Sequence, residues 1–332
     1  MQHKRNILGF LNIGTLYKIL ITILFVIVFF GNTCGSESME NRFFLIGNNK
    51  LDLKNEKTGR EIHVNLFNSD GSINESARSE VDEAFGLGED EKEINISLRL
   101  IFMLDYFTDL VAPGKLIHLV SGYRSPVYNK KLRDLERNVA PASTHMDGMA
   151  LDFYIEGIEG RKLWEIIRKK NCCGVGYYGG KSIHLDSGRP RFWEAATSKT
   201  KTGESDYNRR MYLATEYDRY NAGDKLKFYL TSVSNFGFGI KKMATIVRDG
   251  EGEAKEANFI IDDKKGSDCI SVNERSEAQS LFGWLSKDLP TGKYRIIIDF
   301  CKKPFDMMPS RIISNEIEVV NRDQYFSQKN KP

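Results

Sequence analysis

The sequence predicts an α+β fold: a small antiparallel sheet with flanking helices carrying a metal site, followed by a C-terminal all-β sandwich of the Ig-like type. Two segments, 149–155 and 182–186, alternate polar and apolar residues, as half-buried strands do. Apolar residues at helical spacing occupy 94–110. From residue 208 onward, short strand candidates recur at fairly regular intervals, which is typical of a β-sandwich.

Size, composition and charge indicate a globular protein with room for two domains. The chain has 332 residues, of which 41% are apolar and 11% aromatic, enough to build two cores. The 48 basic and 45 acidic residues are spread without a dominant block. Electrostatics therefore give no reason to expect nucleic acid as a partner.

The N-terminus has the order of a secretory signal. Basic residues precede an apolar run at 19–30, which ends in small and polar residues at 31–36. We therefore predict a signal peptide or membrane anchor at 1–35 and an exported protein, periplasmic or in the cell envelope. Cleavage after Gly35 is favoured over an uncleaved anchor, in which 7–16 would help to span the bilayer. Membrane contact is expected only through this segment.

Changes in composition divide the rest of the chain. The first domain is predicted at 36–196, a linker without apolar residues at 197–207, the sandwich at 208–322 and a polar tail at 323–332. The first domain is expected to contain a hairpin at 43–68, helices at 74–85, 94–110, 127–137 and 162–170, and strands at 116–120, 149–155 and 182–186. The sandwich strands are expected at 225–233, 243–248, 257–261, 281–285, 293–300 and 312–320.

The cysteines allow two interpretations. Export would permit a disulfide between Cys269 and Cys301, and two buried free thiols are the equal alternative. Cys172 and Cys173 are adjacent in sequence and are interpreted as packing residues at a helix end.

Two motifs predict a metal site. His145 precedes Asp152 by six intervening residues, and His184 follows on the second predicted strand. If the two strands pair in one sheet, Asp152 and His184 converge on its polar face while His145 approaches from the preceding loop. Two imidazoles and one carboxylate are the ligand set of a catalytic Zn²⁺ with one position open to water. A cation there would also offset the cost of desolvating the carboxylate.

The pattern Ser-x-His-x-x-Gly-x-Ala-x-Asp with a downstream His-x-Asp resembles the D-Ala-D-Ala carboxypeptidase and hedgehog-type zinc peptidase family. More narrowly, 51–194 resembles the YcbK-like murein endopeptidase branch. The resemblance rests on separated motifs at 121–126, 129, 143–152, 174–178 and 184–193. It implies Zn²⁺ bound by His145, Asp152 and His184, and peptidoglycan peptides as the substrate.

The resemblance also suggests catalytic roles. Arg124 would face the site and bind a substrate carboxylate or a developing oxyanion. Related peptidases often place a Glu three residues, or a His two residues, before the last metal histidine, whereas this chain has Lys181 and Ser182 there. Asp186 is the leading substitute, either as general base or as the group that orients a metal histidine, with Asp147 behind it.

Further residues are predicted to contact substrate. Ser143 and Asn129 are expected to bind it, and the alternative for Ser143 is that it only shapes the turn. Aromatic residues could line a groove for glycan or peptide, although core or rim packing is the commoner role for such side chains. They are Tyr177, Tyr178, Phe192 and Trp193.

The function predicted from these observations is an exported zinc metallopeptidase that cleaves peptidoglycan cross-links or stem peptides by metal-activated water. Murein endopeptidase and D,D- or L,D-carboxypeptidase action are both consistent with the resemblance. The alternative is a zinc-containing but non-catalytic protein that binds cell-wall peptides. In a third interpretation the sandwich is the working module, with an unknown partner, and the first domain is its scaffold.

Overall fold

The computed structural model describes residues 39–88, 94–137, 139–198, 206–248, 256–261 and 267–321. The predicted leader, most of the predicted linker and the predicted tail lie outside the described residues. Within the described ranges, no helix has both the length and the apolar character needed to cross a membrane.

The first region of the structure comprises the described residues from 39 to 198. Four of its helices form where the sequence predicts them. They are α1 (Glu75–Ala84), α2 (Leu98–Val111), α3 (Pro126–Asp134) and α4 (Gly160–Lys170). Side chains cap the first turns of α1, α2 and α3, because Asn74, Ser97 and Ser125 each accept a hydrogen bond from a backbone N–H inside the helix. The cap at Ser97 explains why α2 begins four residues after the predicted start.

A seven-stranded sheet forms the centre of the first region. Its strands, in chain order, are β1 (Lys50–Asn55), β2 (Glu61–Asn65), β3 (Ile117–Ser121), β4 (Ala150–Ile155), β5 (Gly174–Tyr177), β6 (Ile183–Asp186) and β7 (Arg191–Glu194). The spatial order is β2-β1-β3-β4-β6-β5-β7. The strand pairs β1/β3 and β5/β7 are parallel and the others are antiparallel. The sheet is therefore larger than predicted and is mixed, because four of its six neighbouring pairs are antiparallel and two are parallel.

The two unpredicted strands, β5 and β7, depend on glycine. A Cβ placed on Gly176 would lie 2.4 Å from the indole of Trp193, so this tight contact between the strands excludes any larger residue. The glycine-rich segment lacks the alternation that marks a strand, so its pattern does not predict one. Apolar side chains of the sheet and of α1, α2 and α4 form one core, which includes Leu53, Phe102, Phe153 and Trp164.

The second region, which comprises the described residues from 206 to 321, is rich in β-structure, as predicted. Its strands are β8 (Tyr212–Thr215), β9 (Arg219–Asn221), β10 (Lys225–Thr231), β11 (Phe238–Lys241), β12 (Met243–Arg248), β13 (Glu256–Ile260), β14 (Cys269–Val272), β15 (Leu281–Trp284), β16 (Gly292–Lys302), β17 (Arg311–Ile313) and β18 (Ile317–Val320). One sheet has the order β15-β10-β8; the other has the order β13-β12-β16-β11-β14, with β17, β18 and β9 attached through β16. Their apolar side chains share a second core.

Two details differ from the all-β prediction for this region. A short helix, α5 (Arg275–Gln279), lies between β14 and β15. The predicted strand at 312–320 is interrupted, because Ser314 and Asn315 bond with their side chains to Ile296 and Thr215 instead of continuing the ladder. The Ig-like arrangement stays a prediction.

A disulfide joins Cys269 of β14 to Cys301 of β16, which decides between the two interpretations of these cysteines. It lies against Gly239 of the intervening strand β11. A Cβ on that glycine would come within 2.6 Å of the Cys269 sulfur, so the bridge requires a residue without a side chain there. Cys172 and Cys173 are free thiols.

Candidate metal centre

Three potential metal ligands converge from three elements. His145 lies on a 3-10 turn (Thr144–Asp147), Asp152 on β4 and His184 on β6. Asp152 and His184 are direct partners in the antiparallel register, as the strand patterns predicted. One ligand atom from each of the three residues lies within 4.8 Å of the others. The backbone pairing thus brings together side chains that are separated by 32 positions in sequence.

The turn that carries His145 is bounded by residues suited to its ends. Ser143 caps its start, and Gly148 ends it with a φ of 66°, in the left-handed region that favours glycine. A Cβ on Gly148 would also lie 2.6 Å from the carbonyl oxygen of Asn95. The glycine is therefore required both by backbone conformation and by space, and it directs the chain into β4.

His145 presents an unpartnered nitrogen to this centre. Its Nδ1 lies 2.7 Å from the carbonyl oxygen of Gly122, which can only accept, so Nδ1 carries the proton. Its Nε2 is buried, has no hydrogen-bond partner in the described structure, and lies 3.4 Å from Oδ1 of Asp152. Burial lowers the pKa of His145. A neutral imidazole with a buried free lone pair fits a metal ligand.

Two carboxylates contact the imidazole of His184. Its Nε2 lies 2.8 Å from Oδ2 of Asp186, and its Nδ1 lies 3.0 Å from Oδ1 of Asp152. If Nε2 donates to Asp186, the Nδ1 lone pair faces the centre. This is the arrangement in which a carboxylate orients a metal-binding histidine.

Asp186 is fully buried, and its acceptor positions are occupied. Arg191 donates to both oxygens at 3.0 and 2.6 Å, and the backbone N–H of Gly188 donates to Oδ1 at 3.0 Å. Burial would raise the pKa of Asp186, but Arg191 and His184 outweigh it, so the pKa lies well below its usual range. The group is a fixed carboxylate that is poorly suited to accept a proton.

Asp152 is the central carboxylate of the group. Arg124 donates to its Oδ2 at 2.6 Å, and the hydroxyl of Tyr178 donates to its Oδ1 at 2.8 Å. Burial opposes its ionisation, but the neighbouring histidines hold the pKa of Asp152 well below its usual value. Ser121 orients Arg124 by accepting from its Nε at 2.9 Å. The predicted placement of Arg124 at the site agrees with this geometry.

A cavity of about 410 Å³ opens onto the two histidines. Its lining includes Arg124, Ser143, Tyr178, Phe192 and Trp193, together with Arg189, Arg191, Arg210 and Ser232. Phe192 is 62% exposed and Tyr178 is 44% exposed, so their rings face solvent rather than a core. The cavity can admit a ligand of peptide size to the centre.

Other predicted site residues have different surroundings. Asn129 is buried on α3, donates to the carbonyl of Ala140 at 3.1 Å and does not line the cavity. Ser143 lines the cavity, and its hydroxyl also accepts from the backbone N–H of His145 at 3.4 Å. Asp147, the second candidate for a base, does not line the cavity; its carboxylate accepts from the backbone N–H of Ser232 and pairs with Arg275, both of the second region.

Several groups that contact the three candidate ligands or Asp186 were not predicted from the sequence. The carbonyl of Gly122, the ion pair of Arg191 and the hydroxyl of Tyr178 all act on the three ligands, although Arg191 and Tyr178 belong to motifs that the resemblance included. Arg210 and Ser232 had no signal at all, because they follow the predicted linker and reach the cavity only through the packing of the two regions.

The family profile described as "Peptidoglycan L,D-endopeptidase MepK" matches residues 46–193. The peptidoglycan L,D-endopeptidase MepK of Escherichia coli (strain K12) is 34% identical over 144 residues, which cover 43% of this chain and 79% of that protein. The chain belongs to the MepK family. The Shigella flexneri MepK shows the same identity and coverage, and a probable MepK of Haemophilus influenzae is 38% identical over 88 residues, 26% of this chain and 47% of that protein.

The match to the MepK family covers the first region only. It contains His145, Asp152, His184, Arg124 and Asp186, and ends within β7. The β-rich second region lies entirely beyond it. Membership in the family therefore concerns the region that holds the candidate metal centre.

Proposed function

We propose that this protein is an exported zinc metallopeptidase that cleaves the peptides of peptidoglycan, with endopeptidase action on cross-links as the main activity. The observation that carries the proposal is the His145–Asp152–His184 group, open to a cavity in a MepK-family domain. Zn²⁺ would be held by Nε2 of His145, a carboxylate oxygen of Asp152 and Nδ1 of His184. When bound, it would lower the pKa of a water molecule and polarise the scissile carbonyl.

Hydrogen-bond acceptors beside both histidines favour the tautomer that zinc binding needs. The carbonyl of Gly122 holds the proton on Nδ1 of His145, and Asp186 would hold a proton on Nε2 of His184. These contacts fix ring orientation as well as protonation, so the ligand nitrogens are directed to the centre before a cation arrives. We therefore assign Asp186 a positioning role.

Arg124 and Tyr178 are proposed to act on the substrate side. The Arg124 guanidinium lines the cavity and uses only part of its donors on Asp152 and Ser121, leaving N–H groups for the carbonyl oxygen as charge develops on it. Burial and the Asp152 charge raise the pKa of Tyr178 well above its usual value. Its hydroxyl thus stays protonated and holds Oδ1 of Asp152 in place.

Export is supported by the order of basic, apolar and small residues at 1–36, and it agrees with a substrate outside the cytoplasm. Carboxypeptidase action on stem peptides is the nearest enzymatic alternative. The two activities differ in products, because an endopeptidase converts cross-linked dimers to monomers whereas a carboxypeptidase releases a single amino acid.

A non-catalytic wall-binding protein is the second candidate, and one observation favours it. None of the described residues that line the cavity is an aspartate or a glutamate, and Asp186 is saturated by Arg191, Gly188 and His184. The described part of the cavity wall thus offers no carboxylate general base of the usual kind.

Hydrolysis of purified muropeptides, followed by mass spectrometry, separates these candidates. We expect wild-type protein loaded with zinc to convert cross-linked muropeptides to monomers, and a chelator to stop the reaction until zinc is restored. Full zinc occupancy without any product from cross-linked or monomeric muropeptides would reject catalysis and favour the binding protein.

A further inference from the structure

The cavity has one wall that the MepK family match does not include. Arg210 and Ser232 line it from the β-rich second region, together with residues such as Tyr178 and Phe192 of the first. Four of the described residues that line the cavity are arginines, and none of those lining residues is acidic. They are Arg124, Arg189, Arg191 and Arg210.

Two of these four positive charges are already neutralised. Arg124 pairs with Asp152 at 2.6 Å, and Arg191 pairs with Asp186 at 2.6 Å. The side chains of Arg189 and Arg210 are exposed and form no ion pair with any other residue that the structure describes. The cavity therefore retains two guanidinium groups, one from each region, that can bind an anion.

The loop that carries Arg210 has an unusual backbone conformation. Tyr207 and Asn208 have φ values of 52° and 60°, two consecutive non-glycine residues in the left-handed region. Asn208 is fully buried and accepts at Oδ1 from the backbone N–H groups of Ser234 and Asn235, each at 2.9 Å. Such strain persists only where the surroundings enforce it, and it is concentrated at functional sites.

The neighbouring loop is tied to the candidate metal centre itself. Ser232 also has a left-handed φ of 56°, and its backbone N–H donates to Oδ2 of Asp147 at 2.9 Å. Asp147 is the last residue of the turn that carries His145. Arg275 of α5 forms an ion pair with the same carboxylate. These two contacts fix the position of the second region relative to the turn that carries His145.

We propose that Arg210, together with Arg189, forms a subsite for a free carboxylate of the wall peptide. A guanidinium binds a carboxylate through two parallel N–H donors, which suits an anion in a cavity lined by arginines of both regions. The second region would then select among peptides by their charge. This inference rests on the proposed function only in taking a wall peptide as the occupant of the cavity.

Calorimetric binding of a soluble muropeptide to the zinc-loaded full chain tests the subsite. We expect Arg210→Ala to weaken binding of the free-carboxylate peptide about tenfold, since charged hydrogen bonds are among the strongest contacts. The same peptide with its carboxylates amidated should bind wild type and Arg210→Ala equally. Arg209→Ala is the matched control, because Arg209 is an exposed neighbour that bonds to the Asp206 carbonyl and does not line the cavity.

The outcomes distinguish this subsite from the proposed activity. Binding without cleavage by wild type, with the loss in Arg210→Ala confined to the free-carboxylate peptide, would sustain the subsite and reject the peptidase. Equal affinities of wild type and Arg210→Ala for that peptide, or equal affinities of wild type for the free and amidated peptides, would overturn the subsite even if cleavage were observed. Absence of any binding by wild type would overturn it as well.

Discussion

The two regions of the molecule contribute different things to one cavity. The first region carries every histidine that follows residue 3, the candidate ligand group and the whole MepK family match. The second region contains no histidine, yet it supplies Arg210 and Ser232 to the same cavity. The difference teaches that the candidate ligand group comes from one region alone, whereas both regions contribute to the cavity wall.

Buried charges join the two regions more firmly than a flexible linker would. Arg99 of α2 pairs with Asp218 at 2.7 Å, and both side chains are less than 9% exposed. Arg99 also donates to the carbonyl of Ser187, just beyond the strand that carries His184. Separation of the regions would leave these charged groups without their partners. Because a buried charge without a partner is destabilising, this ion pair favours the packed arrangement of the two regions.

The largest expected effect removes a ligand from the first region. His145→Ala should lower muropeptide hydrolysis at least about 10³-fold and reduce bound zinc, because two ligands alone hold the ion poorly. His63→Ala is the control, since His63 is exposed and pairs with Asp52 on the sheet edge. Zinc content by mass spectrometry and initial rates provide the readouts. Retained zinc and activity in His145→Ala would remove this histidine from the site.

Breaking the ion pair between the regions should come next. Arg275→Ala leaves the Asp147 carboxylate buried without its cation, which should cost about 3–5 kcal/mol of unfolding free energy. Arg311→Ala breaks an exposed pair with Asp299 in the same region and should cost at most about 1 kcal/mol. Denaturant unfolding measures both changes. Similar losses in the two variants would show that Asp147 does not depend on Arg275.

Removing the disulfide should affect the second region alone. A double change of Cys269 and Cys301 to Ser should lower unfolding free energy by about 2–4 kcal/mol while leaving zinc content unchanged. Calorimetric melting together with zinc analysis tests this separation. Loss of zinc in the native variant would mean that the bridge supports the metal centre and that the two regions are less independent.

A smaller loss is expected when the group that orients His184 is changed. Asp186→Asn should reduce zinc affinity or hydrolysis about 10- to 100-fold, the usual effect of removing a carboxylate behind a metal histidine. Zinc competition titrations separate the two quantities. A loss as large as that of His145→Ala, with zinc affinity intact, would instead indicate proton transfer by Asp186.

The smallest expected effect concerns pH. Burial raises the pKa of Asp82, on α1, from 3.8 to about 6. The folded state therefore binds this proton more tightly than the unfolded state, so the stabilisation is full below pH 3.8 and is lost as pH rises through about 6. Asp82→Asn, which keeps an acceptor for the Ile96 N–H, should melt higher than wild type at pH 7.5 and gain less on acidification. Parallel pH shifts in both proteins would contradict this assignment.

Prediction from sequence succeeded where short-range pattern and residue chemistry agree. Alternation at 149–155 and 182–186 identified β4 and β6, and their pairing then placed Asp152 opposite His184. It failed at Gly174–Tyr177, because glycines that admit Trp193 carry no alternating pattern. It also did not reveal the contacts of Asp147, whose partners lie 85 and 128 positions further along the chain.

The amino-acid sequence alone determined the candidate ligand group and the two strands that carry Asp152 and His184, since both depend on residue type and on periodicity along a few neighbouring positions. Only the tertiary structure decided that Asp186 is saturated by Arg191, that Asp147 faces the second region, and that Arg210 reaches the cavity. Each of these depends on contacts between segments distant in the chain, which packing establishes and local pattern does not encode.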